Sequence, residues 1–224
     1  MLRSRKQVAE DTMEFEFEKP AGFGFKPGQA IDLVLASVQS AEPASARHTF
    51  SVVSAPFEEG ITIATRMRGS EFKNALAALP VGSAAELEGP FGSLTLHSSR
   101  ARPAVFIAGG IGITPFMSIL RQAAHDQLPQ RFVLVYSNHR PETAPFLEEL
   151  RQLELARRNF RLLPVMTQQN ERIDRELIKR VKNDASTAVY YLTGAPAMVA
   201  AMRQLLANAA IDDDDVRGEE FYGY

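Results

Sequence analysis

The chain has 224 residues, 45% of them hydrophobic, which is enough for one large domain or two small ones with separate cores. Its formal net charge of -2 favours neither nucleic acid nor a membrane as a partner. The absence of cysteine excludes disulfides, thiol nucleophiles, cysteine-ligated zinc and cysteine-held iron–sulfur clusters within these residues.

Residues 1–10 are polar, with no apolar h-region, and do not read as a signal peptide. Met13, Phe15 and Phe17 then alternate with Glu14, Glu16 and Glu18, the period of a half-buried strand. Residues 31–35, 50–53 and 61–65 are further short β-rich runs. Gly22, Gly24, Pro27, Gly28, Pro43, Pro56, Gly60 and Gly82 punctuate the region. This predicts an antiparallel barrel or sandwich over residues 1–99. One helix interrupts it, with Ser70 as cap and Phe72, Leu76 and Leu79 on one face.

A linker at 98–103 opens a second domain, residues 100–224, in which strands and helices alternate. Strands are expected at 104–108, 131–136, 160–166 and 189–192, and helices at 115–124, 145–157, 173–181 and 197–208. That order is the signature of a parallel sheet flanked by helices. Residues 103–120 carry enough uncharged chain to suggest a membrane span, but Pro103, Gly109, Gly110, Gly112 and Pro115 would break it. A strand, a glycine turn and a helix fit better, and a cytoplasmic protein is expected. The acidic run 212–215 reads as a solvated turn, because the other ligands of a calcium loop are missing. His48, His97, His125 and His139 match no metal-ligand spacing, so no metal site is expected.

Three segments carry chemistry. Ala108-Gly109-Gly110-Ile111-Gly112-Ile113-Thr114-Pro115 follows an apolar strand and opens a helix. Glycines there let a phosphate approach the backbone, and the helix start offers free N–H groups. The spacing is not the usual dinucleotide fingerprint, and a plain tight turn remains the alternative. Gly112 is expected to keep the pyrophosphate approach open. Arg47-His48-Thr49-Phe50-Ser51 sets a cation, an aromatic face and a hydroxyl on one ribbon. A flavin nucleotide needs those groups, although any barrel edge shows similar ones. Thr65-Arg66-Met67-Arg68-Gly69-Ser70-Glu71-Phe72-Lys73 ends a strand, adds two arginines and starts a helix. It suits a pyrophosphate or is a solvated cap with surface arginines.

Taken in order, these segments resemble the ferredoxin–NADP reductase superfamily over nearly the whole chain. Lys26-Pro27-Gly28-Gln29, Phe50-Ser51, Gly89-Pro90-Phe91-Gly92, the 109–115 glycine segment, Thr193-Gly194-Ala195-Pro196-Ala197-Met198 and Glu219-Glu220-Phe221 carry the resemblance. It implies a six-stranded Greek-key barrel for flavin, FAD more than FMN, and an α/β domain for NAD(P)H. A hydride would pass from the nicotinamide to flavin N5. Electrons would then go to a ferredoxin, flavodoxin, oxygenase component or small-molecule acceptor, with any iron–sulfur relay on another chain. By resemblance, Phe50 stacks on the flavin and Ser51 bonds near N5, with Arg47, His48, Thr49, Thr65, Arg66, Met67, Gly69, Ser70 and Phe72 around the flavin and its phosphates. Gly110, Gly112, Ile113, Thr114, Pro115, Asn138, Arg140, Gly194, Pro196 and Met198 take the nicotinamide cofactor. Ser51, Thr193 and Glu220 are the catalytic candidates, with Phe221 beside the flavin and Glu219 one register step away.

Three departures from the family pattern stand out. His48 occupies the usual arginine slot and Arg47 is one residue early. The two would point to opposite faces of a regular strand, so either a bulge or a histidine substitution is required. Phe50 replaces a frequent tyrosine, and Thr193 a cysteine. His139, Arg140 and Arg172 are candidate readers of a 2′-phosphate, while Gln168 removes a charge, which leaves NADH and NADPH both open. The departures also allow a non-catalytic nucleotide-binding module of the same fold, and an ordinary flavin-free dehydrogenase is a third reading.

Overall fold

A computed structural model of the chain describes residues 1–35 and 46–222, so Pro43 lies outside the described residues. The chain forms two compact units, Met1–Thr95 with Thr114–Gln122, and Leu96–Ile113 with Ala123–Tyr224.

The first unit holds β1 (Leu2–Ala9), β2 (Thr12–Glu18), β3 (Ala30–Val34), β4 (Arg47–Ser51), β5 (Gly60–Arg66), α1 (Glu71–Ala78) and β6 (Glu86–Phe91). All strand pairs are antiparallel, in two three-stranded sheets ordered β1-β2-β5 and β4-β3-β6. Just beyond β4, the Val53 N–H donates to Thr62 O on β5 at 2.7 Å, which joins the sheets. The sequence β6-β3-β4-β5 is the Greek-key order. Phe15, Phe17, Ile31, Leu33, Ile61, Ile63, Phe72 and Leu76 fill one core. β1 shows no strand period in the sequence because only Leu2 is fully buried and residues 3–7 are exposed. A charged outer face is a common way to protect an edge strand. The first part of α2 (Thr114–His125) belongs to this unit, where the Ser118 hydroxyl donates to Ser54 O at 2.7 Å. Gly28 has φ +94°, and a Cβ there would lie 2.1 Å from Leu94 O, so this turn requires glycine.

The second unit holds β7 (Ala104–Gly109), β8 (Phe132–Asn138), α3 (Leu147–Ala156), β9 (Phe160–Met166), α4 (Arg175–Asp184), β10 (Val189–Gly194), α5 (Pro196–Asn208) and β11 (Val216–Glu220). The five strands are parallel, ordered β11-β10-β7-β8-β9. Val105, Ile107, Val133, Val135 and Leu192 on one face pack against Leu177, Ile178 and Val181 of α4 and Val199, Met202 and Leu206 of α5. Phe106 lies 6.1 Å from Phe132 and 5.3 Å from Tyr191, ring to ring. Strands buried on both faces are apolar throughout, which is why β7, β8 and β10 were legible. β11 is polar and mostly exposed, and was not. The 212–215 acidic run is a capped turn whose Asp213 and Asp215 pair with Arg203 and Arg102. Among the described residues, no helix is long and apolar enough to cross a membrane.

His97 is buried in this unit. Its backbone N–H donates to the Tyr191 hydroxyl at 2.9 Å, and its ring lies 2.8 Å from the same oxygen and 2.8 Å from Gln130 Nε2. Burial lowers its pKa below 6.5, and the nearby charges of Arg102 and Arg217 act in the same direction. The unfolded chain therefore binds a proton that the folded chain resists. Stability is full above pH 6.5 and declines as pH falls through the folded value. The urea midpoint is expected to drop between about pH 7.5 and about pH 5.5, with a shallower drop in His97→Gln. Equal slopes in the two proteins would contradict this.

Candidate functional site

β4 pairs with β3 residue for residue, Leu33 opposite His48 and Ile31 opposite Phe50, without a bulge. Arg47 and Thr49 therefore share one face, and His48 and Phe50 the other. Arg47 Nη1 lies 3.3 Å from Asp32 Oδ2, its Nη2 pairs with Glu88, and the Thr49 hydroxyl donates to Asp32. Both meet carboxylates on this exposed face. No bulge turns Arg47 onto the face of His48. The His48 ring lies 4.4 Å from Phe72 and 6.4 Å from Phe50, and Phe50 lies 6.0 Å from Phe72. Phe72 is 1% exposed, so it supports this aromatic platform from the core rather than presenting a face of its own. Ser51 follows Phe50, is 8% exposed and makes no side-chain hydrogen bond among the described residues.

The 65–73 segment ends β5 and starts α1. The Ser70 hydroxyl caps α1, accepting from Lys73 N at 3.2 Å, so it serves the helix first. Thr65 is buried and Met67 packs on the core. Arg66 is half-buried, Arg68 exposed, and the space around Gly69 is open. Burial and then Arg68 lower the Lys73 pKa, and burial and then Lys73 lower that of His48. Burial is the larger part of both shifts, and the smaller part is repulsion between nitrogen groups at a helix start, which an anion would relieve.

In the second unit the chain runs from β7 outward to β8 and β9, then returns to β10 and β11 on the other side. The order reverses between β7 and β10, and the crevice at the carboxyl ends of such strands is where open α/β sheets take ligands. Gly109, Gly110, Thr193 and Gly194 lie there. Gly110–Ile113 form a 3-10 turn before α2 begins at Thr114. Gly112, Ile113, Thr114 and Pro115 are all buried, and only Gly109 and Gly110 keep partial exposure.

One expectation changes here. A Cβ at Gly112 would meet Thr193 O at 2.6 Å and Gly194 N at 2.9 Å. The glycine is required by the chain's own backbone, not by a ligand's approach. The Thr193 hydroxyl donates to Gly112 O at 2.6 Å and is buried, so it staples the turn to β10. Met198 fills the space beside Gly109 and Gly194, its sulfur 2.2 Å from where a Gly109 Cβ would stand, while Pro196 starts α5.

Asn138, at the end of β8, is 4% exposed, and neither its amide nitrogen nor its oxygen has a partner among the described residues. Leaving such a group unpaired costs about 1–3 kcal/mol, so an orphan at a sheet's carboxyl edge calls for a partner, a water or a ligand. Arg140 lies in the capped turn at Thr143, and Arg172 donates to the carbonyls of Thr167 and Glu171 at 2.9 and 2.7 Å. On β11, Glu219 stands opposite Thr193, is half-buried, and burial raises its carboxyl pKa. Glu220 is exposed and accepts from the Tyr222 hydroxyl at 2.6 Å, and Phe221 N donates to Gly194 O at 2.9 Å. The register of β11 against β10, invisible in the sequence, separates the two glutamates.

Residues 106–204 match the family model described as the oxidoreductase NAD-binding domain. The chain is 26% identical over 218 residues to the reductase component of propane 2-monooxygenase from Rhodococcus jostii (strain RHA1), covering 91% of this chain and 57% of that protein. It is 28% identical over 153 residues to phthalate dioxygenase reductase from Burkholderia cepacia, covering 66% and 46% of the two chains. It thus spans less than two thirds of the length of these relatives. Among solved structures, ferredoxin-NADP+ reductase from Plasmodium falciparum superposes with TM-score 0.83 at 14% identity, covering 98% of this chain and 94% of that one. Flavohemoglobin from Malassezia yamatoensis, solved with bound FAD and heme, superposes with TM-score 0.84 at 23% identity over 99% of this chain and 59% of that one. The chain thus shares its fold over nearly its full length with ferredoxin-NADP+ reductase, and residues 106–204 of it match the oxidoreductase NAD-binding domain.

Proposed function

We propose that the chain binds a flavin, FAD in preference to FMN, on residues 1–99 and NAD(P)H on residues 100–224. It takes reducing equivalents from the nicotinamide and passes electrons to an oxygenase component, ferredoxin, flavodoxin or small-molecule acceptor. The observation that carries this is the orphaned Asn138 amide at the carboxyl edge of a parallel sheet with a half-exposed Gly109-Gly110 turn at its switch point. The names of the relatives, reductase components of oxygenases, support an oxygenase as the partner.

The residues present fit both cofactors. Phe50 offers a flat apolar surface braced by Phe72, and Ser51 offers a hydroxyl without another partner among the described residues. Arg66, Arg68 and Lys73, with the α1 amides, provide positive charge for a diphosphate. The Gly109 and Gly110 backbone and the Asn138 amide provide neutral hydrogen-bonding groups for the nicotinamide cofactor. When bound, the flavin supplies a hydride-accepting centre and the nicotinamide the hydride. Glu219 fits the acid–base position better than Glu220. Its half-buried carboxyl keeps a proton to higher pH, whereas Glu220 is exposed and engaged by Tyr222.

Asn138→Leu separates a ligand role from a structural one. The fold is expected to gain about 1–3 kcal/mol as the orphaned amide disappears, while NAD(P)H affinity falls. Denaturation midpoints and nucleotide titrations measure the two effects, and a variant that loses stability with unchanged affinity would argue against the assignment.

The commitment of Thr193 to Gly112 favours one alternative, a nucleotide-binding module without turnover. Reconstitution with FAD followed by ferricyanide reduction with NADH and with NADPH decides between them. Turnover with either nucleotide supports the reductase, and tight binding without turnover supports the module. Protein that takes up no flavin rejects the reductase, and protein that binds neither flavin nor nucleotide rejects both.

A further inference from the structure

We propose that His48 takes up a proton when the diphosphate of FAD binds the first unit, so that His48 makes flavin binding depend on pH. The inference rests on the flavin reading above and goes beyond it, because the family's arginine slot would carry a fixed charge and this chain places a titrating group there.

The placement follows from the strand. β4 is regular, so His48 points with Phe50 toward Phe72, and the fixed cation of this strand, Arg47, turns to the opposite face with Asp32 and Glu88. The groups on the His48 side can be named element by element. On β4 it is Phe50, and opposite on β3 is the apolar Leu33. From α1 come the Phe72 ring at 4.4 Å and the Lys73 ammonium, with Arg68 of the preceding loop acting on Lys73. The carboxylates of Asp32 and Glu88 lie with Arg47 and Thr49 on the far face. The two ring nitrogens of His48 hold no hydrogen bond among the described residues, so either can receive a proton or donate to an oxygen.

Without an anion, His48 meets partial burial and a neighbouring ammonium, and the neutral ring is favoured. A diphosphate arriving at Lys73 and Arg68 reverses the sign of the local field. The imidazolium then gains an opposite charge and a charge-assisted hydrogen bond. One proton leaves a buffer acid, whose bond to hydrogen breaks, and forms an N–H bond on the ring. By linkage, affinity is highest below the free-state pKa of His48, which lies under 6.5. It falls as pH rises through the window up to the bound-state value and is flat above it. FAD suits the test because its diphosphate has no titration of its own in this range.

Calorimetry of FAD binding near pH 6.5, in two buffers of different ionisation heat, reads the proton directly. The expected result is uptake of a fraction of a proton, approaching about one, with affinity declining ~3–10-fold from about pH 6 to about pH 8. Riboflavin, which has no phosphate, is expected to bind without uptake. His48→Arg is expected to bind FAD with no uptake and a flat pH profile. His48→Gln is expected to show a flat profile at the weak, high-pH affinity of the parent. FAD binding without proton uptake, or uptake that persists in both variants, would overturn the inference and leave the flavin reading standing. Failure of FAD and riboflavin to bind at any pH would overturn both.

Discussion

Gly112→Ala is expected to destabilise the second unit by about 1–3 kcal/mol, and Gly112→Val by more. The added Cβ would stand 2.6 Å from Thr193 O, 2.8 Å from Thr193 C and 2.9 Å from Gly194 N. All three are backbone atoms, so no side-chain rotation relieves the contact. The turn must move off β10, and the Thr193 hydroxyl bond to Gly112 O, 2.6 Å and buried, goes with it. Gly109 and Gly110 lie on the same turn, so nucleotide affinity is expected to fall in parallel. Urea unfolding and an NAD(P)H titration of the same variant measure both effects. If Gly112 instead guarded a path for the ligand, the variant would unfold at the parental urea midpoint and lose only nucleotide.

Ser51→Ala is expected to slow flavin reduction by about 10- to 1000-fold, the scale of a lost positioned donor, with a much smaller change in flavin affinity. Ser51 is 8% exposed, directly follows Phe50, and has a hydroxyl with no other partner among the described residues. Removing it leaves the aromatic platform of Phe50, Phe72 and His48 in place. Anaerobic stopped-flow reduction gives the rate and fluorescence titration the affinity. A parental rate would remove Ser51 from the chemistry.

Strands that bury one or both faces were legible as patterns, because Phe15 and Phe17 alternate with glutamates and 104–108 is continuously apolar. β1, β6 and β11 were not, since charged and glycine-rich edge strands are defined by the neighbour they pair with and not by their own period. At the site, residue types were legible and their commitments were not. The Arg47-His48 pair announced a choice between a bulge and a substitution, but only the β3–β4 register decides it, and the same register hands Arg47 to Asp32. Thr193 and Gly112 are 81 residues apart in the chain, and nothing local indicates that one hydroxyl closes on the other's carbonyl. Asn138 is an unremarkable letter at a strand end until its burial without partners gives it meaning.

The most direct test of the account is an anaerobic titration of the FAD-reconstituted chain with NADH and, in parallel, with NADPH. The visible flavin band is expected to bleach with about one equivalent of at least one of the two nucleotides. A band that persists while nucleotide is shown to bind would contradict it.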